Sequence, residues 1–129
     1  MHVFIVSILA PSMDAVDMVN GEILWQVPLG TTEDMAPAFV PNLELGIAAL
    51  GGPIITAGGL AFIGAAADDY LRAFDLKTGA EVWKGRFPAS GQATPMTYML
   101  DGRQYVVIAA GGYPSVGTTP EDYVVAFSL

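Results

Sequence analysis

Apolar positions in this chain come in short runs rich in Ile, Val, Phe, Tyr and Ala, closed off by glycine-centred polar punctuation, and no stretch carries a convincing helical period. That pattern predicts many short strands at close spacing, so the fold class expected is all-β. Asn20-Gly21 and Thr78-Gly79 fall between apolar runs, Gly58-Gly59 separates Pro53–Ala57 from Leu60–Ala66, and Asp101-Gly102 separates Ala93–Leu100 from Arg103–Ala110. Each predicts a two-residue hairpin, since Gly accepts the positive φ that tight turns need. The turns outline one complete four-stranded unit in residues 52–85, with strands near 52–57, 60–66, 70–76 and 80–85. Three strands of a further unit follow in residues 92–129, near 92–100, 103–110 and 122–128, and residues 1–27 read as the last three strands of a preceding one. Between them residues 28–51, with Pro28, Pro37 and Pro41 and no clear period, form a connection long enough to be a functional loop. A second insertion runs from Gly111 to Pro120.

The units repeat. Ala15-Val16-Asp17-Met18-Val19-Asn20-Gly21 ending at Trp25 returns as Ala73-Phe74-Asp75-Leu76-Lys77-Thr78-Gly79 ending at Trp83, every matched position 58 residues from its partner. A truncated third copy, Asp122–Leu129, echoes Asp69–Leu76 after 53 residues. Self-similar four-stranded sheets in tandem predict the blades of a β-propeller, about two and a half of them here. In the shared Ala-x-Asp-x-x-(Asn/Thr)-Gly-x-x-x-Trp pattern, Ala lets sheets approach, Asp17 and Asp75 bond turn backbone, and Gly21 and Gly79 take the positive φ. Trp25 and Trp83 then project as anchors between blades. A Trp buries about 150–250 Å², an upper bound of roughly 4–6 kcal/mol at about 25 cal/mol per Å². The alternative, two core tryptophans of one small sandwich, leaves the repetition of the whole motif unexplained.

Composition narrows the function classes. A chain of 129 residues with 53% hydrophobic content can build a core and is not disordered. Five Lys+Arg against thirteen Asp+Glu, a net charge of -8, leave no positive field for nucleic acid or anionic lipid. There is no cysteine, hence no disulfide and no thiolate ligand, and the single histidine, His2, sits at the terminus, so no Ser-His-Asp, Cys-His or zinc set is read here. Val3–Ala10 is apolar but short for the core of a signal peptide and has no basic residue before it, which favours a buried strand. Leu45–Ala67 is 23 residues without charge, yet Gly46, Gly51, Gly52, Pro53, Gly58, Gly59 and Gly64 break it into strand-sized pieces, against a membrane helix. The acid pairs Glu33-Asp34, Asp68-Asp69 and Glu121-Asp122 read as solvated loop charge in preference to Ca²⁺ ligands. No metal ligand is assigned.

With these residues in view, the chain from about Asp14 to Leu129 resembles the C-terminal part of the membrane-bound quinoprotein dehydrogenases, the quinoprotein glucose dehydrogenase family. The repeated motif is similar to that family's tryptophan-docking motif. More specific are Gly51-Gly52-Pro53-Ile54-Ile55-Thr56-Ala57-Gly58-Gly59-Leu60, Tyr70-Leu71-Arg72-Ala73-Phe74-Asp75, Gly91-Gln92-Ala93-Thr94-Pro95-Met96-Thr97-Tyr98 and Gln104-Tyr105-Val106-Val107-Ile108-Ala109-Ala110-Gly111-Gly112. The resemblance implies an eight-bladed propeller that uses pyrroloquinoline quinone (PQQ) to oxidise a sugar, polyol or cyclic alcohol. It further implies electron transfer to ubiquinone on the periplasmic side of the inner membrane, with Ca²⁺ or Mg²⁺ polarising the quinone as a Lewis acid. The family's general-base aspartate, its quinone-contacting lysine and the ion ligands are expected upstream, and no catalytic residue is assigned here. Asp68 matches an aspartate that lies close to the cofactor in the family, against which stands a solvated turn acid beside Asp69. Tyr113 stands where relatives commonly carry a histidine near the substrate. A phenol donates a hydrogen bond or stacks but is no imidazole-type base near neutral pH, which opens substrates other than glucose. The alternative for Tyr113 is a plain loop aromatic. The remaining blades are the implied partner, the last being closed in the family by a strand from the N-terminal side. A non-catalytic PQQ-like propeller acting as an interaction scaffold would explain the repeat but not the Gln92–Tyr98 and Ala109–Gly112 blocks.

Overall fold

Short β-branched and aromatic runs become ten strands in the computed structural model, which describes residues 3–5, 12–32, 37–41 and 50–128. They are β1 Val3–Ile5, β2 Ser12–Asp17, β3 Glu22–Pro28, β4 Ile54–Ile55, β5 Leu60–Ile63, β6 Tyr70–Asp75, β7 Glu81–Arg86, β8 Met96–Leu100, β9 Arg103–Ala110 and β10 Tyr123–Ser128. Among the described residues the one helical element is a 3-10 turn at Pro114–Val116. Within three sheets, of order β1-β2-β3, β4-β5-β6-β7 and β8-β9-β10, each strand pairs antiparallel with its neighbour. These are successive propeller blades, the middle one complete and the outer two three-stranded.

The middle blade is apolar on both faces because both are covered. Successive side chains of a strand point to opposite faces. Ala61 and Ile63 of β5 and Phe74 of β6 therefore meet Met13 and Leu29 of the first blade, with Trp25 and Val27 packed against them. Phe62 of β5 and Leu71 and Ala73 of β6 face the other way, onto Val106, Ile108 and Ala110 of β9. Contact between blades is close enough that a Cβ added to Gly64 would lie 2.5 Å from Ile108 Cδ1 and 2.7 Å from the Gly91 carbonyl oxygen.

Turn chemistry departs from the sequence expectation at three of four places. Asp101-Gly102 is a two-residue hairpin with both residues at positive φ, 50° and 75°, between paired Leu100 and Arg103. Asn20-Gly21 and Thr78-Gly79 instead close longer loops. Asp17 accepts the Val19 N–H at 2.8 Å and Asp75 accepts the Lys77 and Thr78 N–H groups at 2.9 Å, so each aspartate coils the chain before Gly21 or Gly79 turns it back. The Gly58-Gly59 turn takes in Ala57 as well, because Thr56 and Leu60 already pair through Thr56 N–H at 2.9 Å from the Leu60 carbonyl, and only Gly59 is left-handed.

Strand limits shift for similar reasons. The strand expected over 52–57 contracts to β4, Ile54–Ile55, and the one expected over 92–100 begins at Met96. Pro95, which has no N–H for a ladder, stands between residues 92–94 and the strand, and the Gln92 and Ala93 carbonyls lie beside Gly51, where a Cβ would come within 2.7 Å of both. The strand over 60–66 stops at Ile63, where Gly64 makes its close approach. Of the apolar run 3–10, residues 6–10 lie outside the described residues. Strands β4 and β5 fall inside the uncharged stretch 45–67, and among the described residues no helix is long and apolar enough to cross a membrane.

Candidate functional site

Antiparallel order sorts the connections between strands. The short turns β2–β3, β4–β5, β6–β7 and β8–β9 lie at one end of the blades, and the connections 64–69, 87–95 and 111–122, with the described residues of the connection 29–53, at the other. Where those residues are described, the long connections are stitched together. The Leu50 N–H donates to the Ala65 carbonyl at 3.2 Å, the Gly52 N–H to Thr94 Oγ1 at 3.1 Å, the Phe87 N–H to the Asp69 carbonyl at 2.8 Å and the Gly112 N–H to the Ser90 carbonyl at 2.9 Å. Ala65 and Ala66 are wholly buried at the centre. A cavity of about 230 Å³ opens at this end between Ala67, Asp69, Ala89, Thr118, Thr119 and Glu121.

Beneath these loops lies a buried ion pair. Asp68 is 0% and Arg72 2% exposed. Arg72 sits on the face of β6 that meets the first blade, and its fork is bidentate, Nη1 to Oδ1 at 2.8 Å and Nη2 to Oδ2 at 2.5 Å. Asp68 Oδ2 also accepts the Thr31 backbone N–H at 2.8 Å and the Thr31 hydroxyl at 3.3 Å, which ties down the start of the long connection 29–53. Arg72 Nε donates to Glu81 Oε2 at 3.2 Å. Burial by itself would lower the Arg72 pKa, but the Asp68 hydrogen bonds and charge, followed by the Glu81 charge, hold it above the usual guanidinium value. The alternative of Asp68 as a solvated turn acid therefore fails. Its carboxylate is enclosed, and both oxygens are taken by partners within the chain.

The other sequence-derived positions are distributed as follows. Tyr113 is 45% exposed on the last long connection, its N–H bonded to Thr118 Oγ1 at 2.5 Å. Gly112 before it has φ 65°, and a Cβ there would strike the Thr119 carbonyl. Trp25 Nε1 donates to the Leu76 carbonyl at 2.9 Å, and its ring lies on Gly79, where a Cβ would come 2.6 Å from Trp25 Cδ2. Trp83 meets Phe127 edge-on with centroids 5.2 Å apart. Each tryptophan thus reaches from the last strand of one blade to the next blade. Asp17, Asp75, Gly21 and Gly79 shape the short turns at the opposite end from Tyr113. His2 and the Glu33-Asp34 pair lie outside the described residues, Asp69 is within 4.0 Å of Arg86, and Glu121 and Asp122 are exposed. Among the described residues no three acids or histidines are grouped so as to hold a metal ion.

Sequence reasoning missed the partners of Asp68 and the residues that bind the loops together, Thr31, Ser90 and Gln92. One signal was present. Arg72 is a charge between the apolar Leu71 and Ala73 in mid-strand, and a buried guanidinium requires a carboxylate. Tyr70 was passed over too: Arg72, Lys84 and Arg86 lie 5.3, 4.8 and 5.0 Å from its ring centroid. Those are three of the five basic residues of the chain.

A family described as PQQ, "Glucose/ethanol/alcohol dehydrogenase, beta-propeller domain", matches residues 8–106. The chain belongs to this PQQ propeller family. It is 48% identical over 120 residues to the quinoprotein glucose dehydrogenase of Escherichia coli (strain K12), covering 91% of this chain and 15% of that protein. It is 44% identical to the quinate/shikimate dehydrogenase (quinone) of Acinetobacter baylyi (strain ATCC 33305 / BD413 / ADP1), covering 92% of this chain and 15% of the relative. Among solved structures, the quinohemoprotein alcohol dehydrogenase from Comamonas testosteroni matches with TM-score 0.64 and 26% identity over 91% of this chain and 16% of that one. The chain thus spans about 15% of the length of the curated relatives it matches.

What this part of a PQQ propeller offers the cofactor follows from its donors. PQQ is an anionic quinone that calls for cations and N–H groups. The buried cation here, Arg72, is engaged by Asp68 and Glu81, while Lys84 and Arg86 gather at Tyr70. One buried side-chain acceptor at the loop end, Gln92 Oε1, has no partner. Among the described residues these groups form no clamp for the cofactor's carboxylates; at their loop end they present a buried carboxamide oxygen, an acceptor, which does not supply the donors an anionic quinone calls for.

Proposed function

We propose that this chain is the C-terminal portion of a PQQ-dependent dehydrogenase that oxidises the CH–OH group of a sugar, polyol or cyclic alcohol and passes the electrons to ubiquinone. The observation that carries the reading is 40–48% identity, over about nine-tenths of the chain, to dehydrogenases named for glucose, quinate and glycerol. When bound, PQQ supplies the two-electron acceptor, and Ca²⁺ or Mg²⁺ the Lewis acid beside it. This segment builds part of the chamber: Asp68 and Arg72 fix the start of one long connection, and Tyr113 is carried on another. Trp25 lying on Gly79 supports the repeated segment as a tryptophan-docking motif. The reaction belongs, on this reading, on the periplasmic side of the inner membrane.

The test is reconstitution of the complete polypeptide carrying this chain with PQQ and Ca²⁺ or Mg²⁺, followed by dye-coupled and ubiquinone-coupled oxidation of glucose, quinate and glycerol. Oxidation of at least one, dependent on PQQ, is expected. A folded protein that binds PQQ and oxidises none of these nor related polyols refutes the proposal.

A further inference from the structure

One carboxamide joins two of the long connections, 64–69 and 87–95, and a backbone bond from the second reaches a third. Gln92 Nε2 donates to the Ala66 carbonyl and to the Ser90 hydroxyl, each at 2.9 Å. The Ser90 hydroxyl donates to the same Ala66 carbonyl at 3.2 Å, and the Ser90 carbonyl accepts the Gly112 N–H at 2.9 Å. Ser90 is 1% and Ala66 0% exposed, so the knot lies out of water, where made bonds gain in strength and unmade ones cost more. Gly112 has φ 65° and the Thr119 carbonyl occupies the space a Cβ would need, so only glycine fits there. Tyr113 follows directly, its N–H taken by Thr118 Oγ1. The Ser90 carbonyl therefore ties the backbone at 111–113 to the 87–95 connection, and Gln92, with the Ala66 carbonyl, holds Ser90.

We infer that Gln92 is a positioning residue that sets, through Ser90, the place of the 111–120 connection and of Tyr113 on it. Its amide nitrogen is spent on the knot, while its oxygen is buried with no partner, so the donors alone dictate how the carboxamide is oriented. Methionine at 92 would keep the volume and lose both donors. The structural claim stands by itself; its kinetic consequence rests on the proposed function.

Two measurements on the complete polypeptide separate these. In the protein without cofactor, Gln92→Met and Ser90→Ala each remove two side-chain bonds of the knot but leave the Ser90 carbonyl–Gly112 bond. Amide exchange in peptides covering 111–120 is therefore expected to speed up about three- to tenfold, the effect of about one hydrogen bond reaching that connection. Peptides from β5 and β9 should stay unchanged, and the double variant should be no more than about twofold faster than the faster single one, because both act along one path. With PQQ bound, the same variants should raise KM for the oxidised substrate about three- to tenfold, with kcat and PQQ affinity held within about twofold. Unchanged exchange at 111–120, or faster exchange spread over every blade, overturns the inference. A fall in kcat at constant KM overturns it as well. If wild type oxidises no substrate, the proposed function falls and the exchange result alone decides the positioning claim. Ser90→Ala decides it where Gln92→Met does not fold.

Discussion

Removing the Arg72 guanidinium should be among the most damaging single changes in this chain, and the reason is the state in which it leaves Asp68. In Arg72→Met the carboxylate stays at 0% exposure with only the Thr31 N–H and hydroxyl for company. Three charge-assisted contacts are lost, two to Asp68 and one to Glu81. At about 1.5–3 kcal/mol each they sum to roughly 4–9 kcal/mol before desolvation is counted. Guanidinium burial offsets part of this, and orphaning one member of a buried pair ordinarily costs about 3–5 kcal/mol, the value expected here. Asp68→Asn should cost less, about 2–3 kcal/mol, since an amide oxygen still accepts from Arg72 or Thr31 and Glu81 still faces Nε. The double variant Asp68→Leu/Arg72→Met removes both charges, so it should fall short of the summed cost of Asp68→Leu and Arg72→Met by about 2 kcal/mol or more. The assay is urea unfolding of the complete protein without cofactor, comparing midpoints at constant m. A cost below 1 kcal/mol for Arg72→Met, or additive effects in the double variant, would refute the reasoning.

Other expectations follow from the same geometry. Trp83→Ala should cost about 3–5 kcal/mol by denaturation of the intact propeller, and Trp25→Phe about 1 kcal/mol for the lost bond to the Leu76 carbonyl; a shift under 1 kcal/mol for Trp83→Ala would remove it as an anchor. The pKa values of Asp17 and Asp75 lie below the ordinary carboxylate value, chiefly through the Val19 and Thr78 backbone N–H groups respectively. A depressed folded pKa contributes stability that is complete above the unfolded value and lost as pH falls through the folded one. Melting temperature should therefore drop as pH falls below about 4, and drop less in the Asp17→Asn/Asp75→Asn double variant; equal acid sensitivity in both would count against these two turns. Gly112→Ala should displace the 111–120 connection and speed its amide exchange, given the positive φ and the Thr119 carbonyl in its path. The chain expressed by itself should self-associate in sedimentation, because Val124, Ile23 and Met99 are 75, 65 and 64% exposed; a stable monomer would speak against that.

What could be read from the sequence was what depends on neighbours in the chain or on exact repetition. Alternation within Leu60–Ile63 and Tyr70–Asp75 sends side chains to both faces, and the 58-residue interval places Trp25 and Trp83 in the same role. The positions of the turns were legible but their lengths were not. A glycine marks where the backbone reverses, while the aspartate side chains of Asp17 and Asp75 decide how many residues coil before it does. The site itself was the least visible. Asp68 beside Asp69 has the look of a wet turn, and its burial is dictated by Thr31, 37 residues away, and by Arg72 on the next strand. Gln92 appears in the sequence as part of a block with no evident task, since its partner Ala66 contributes only a carbonyl 26 residues distant.

A division of labour follows from where the partners lie. Asp68, Arg72 and Ser90 are buried and bound to other connections or blades, so changing any of them disturbs the frame on which the loops rest. Tyr113 stands at the same end but is 45% exposed, on a connection already held by the Gly112 and Glu121 N–H groups. A side chain there can be exchanged without opening a cavity or orphaning a charge. The relatives named for glucose, quinate/shikimate and glycerol are 48, 44 and 45% identical to this chain, nearly the same likeness for three different substrates. That is the outcome expected when blade contacts and buried pairs carry the fold, and the chemistry separating one alcohol from another is mounted on exposed loop positions that the frame keeps in place. Under the proposed function, a tyrosine at position 113 in place of an imidazole then alters what the chamber accepts or how it handles a hydroxyl, while the Gln92–Ser90 knot keeps that side chain where its chemistry counts.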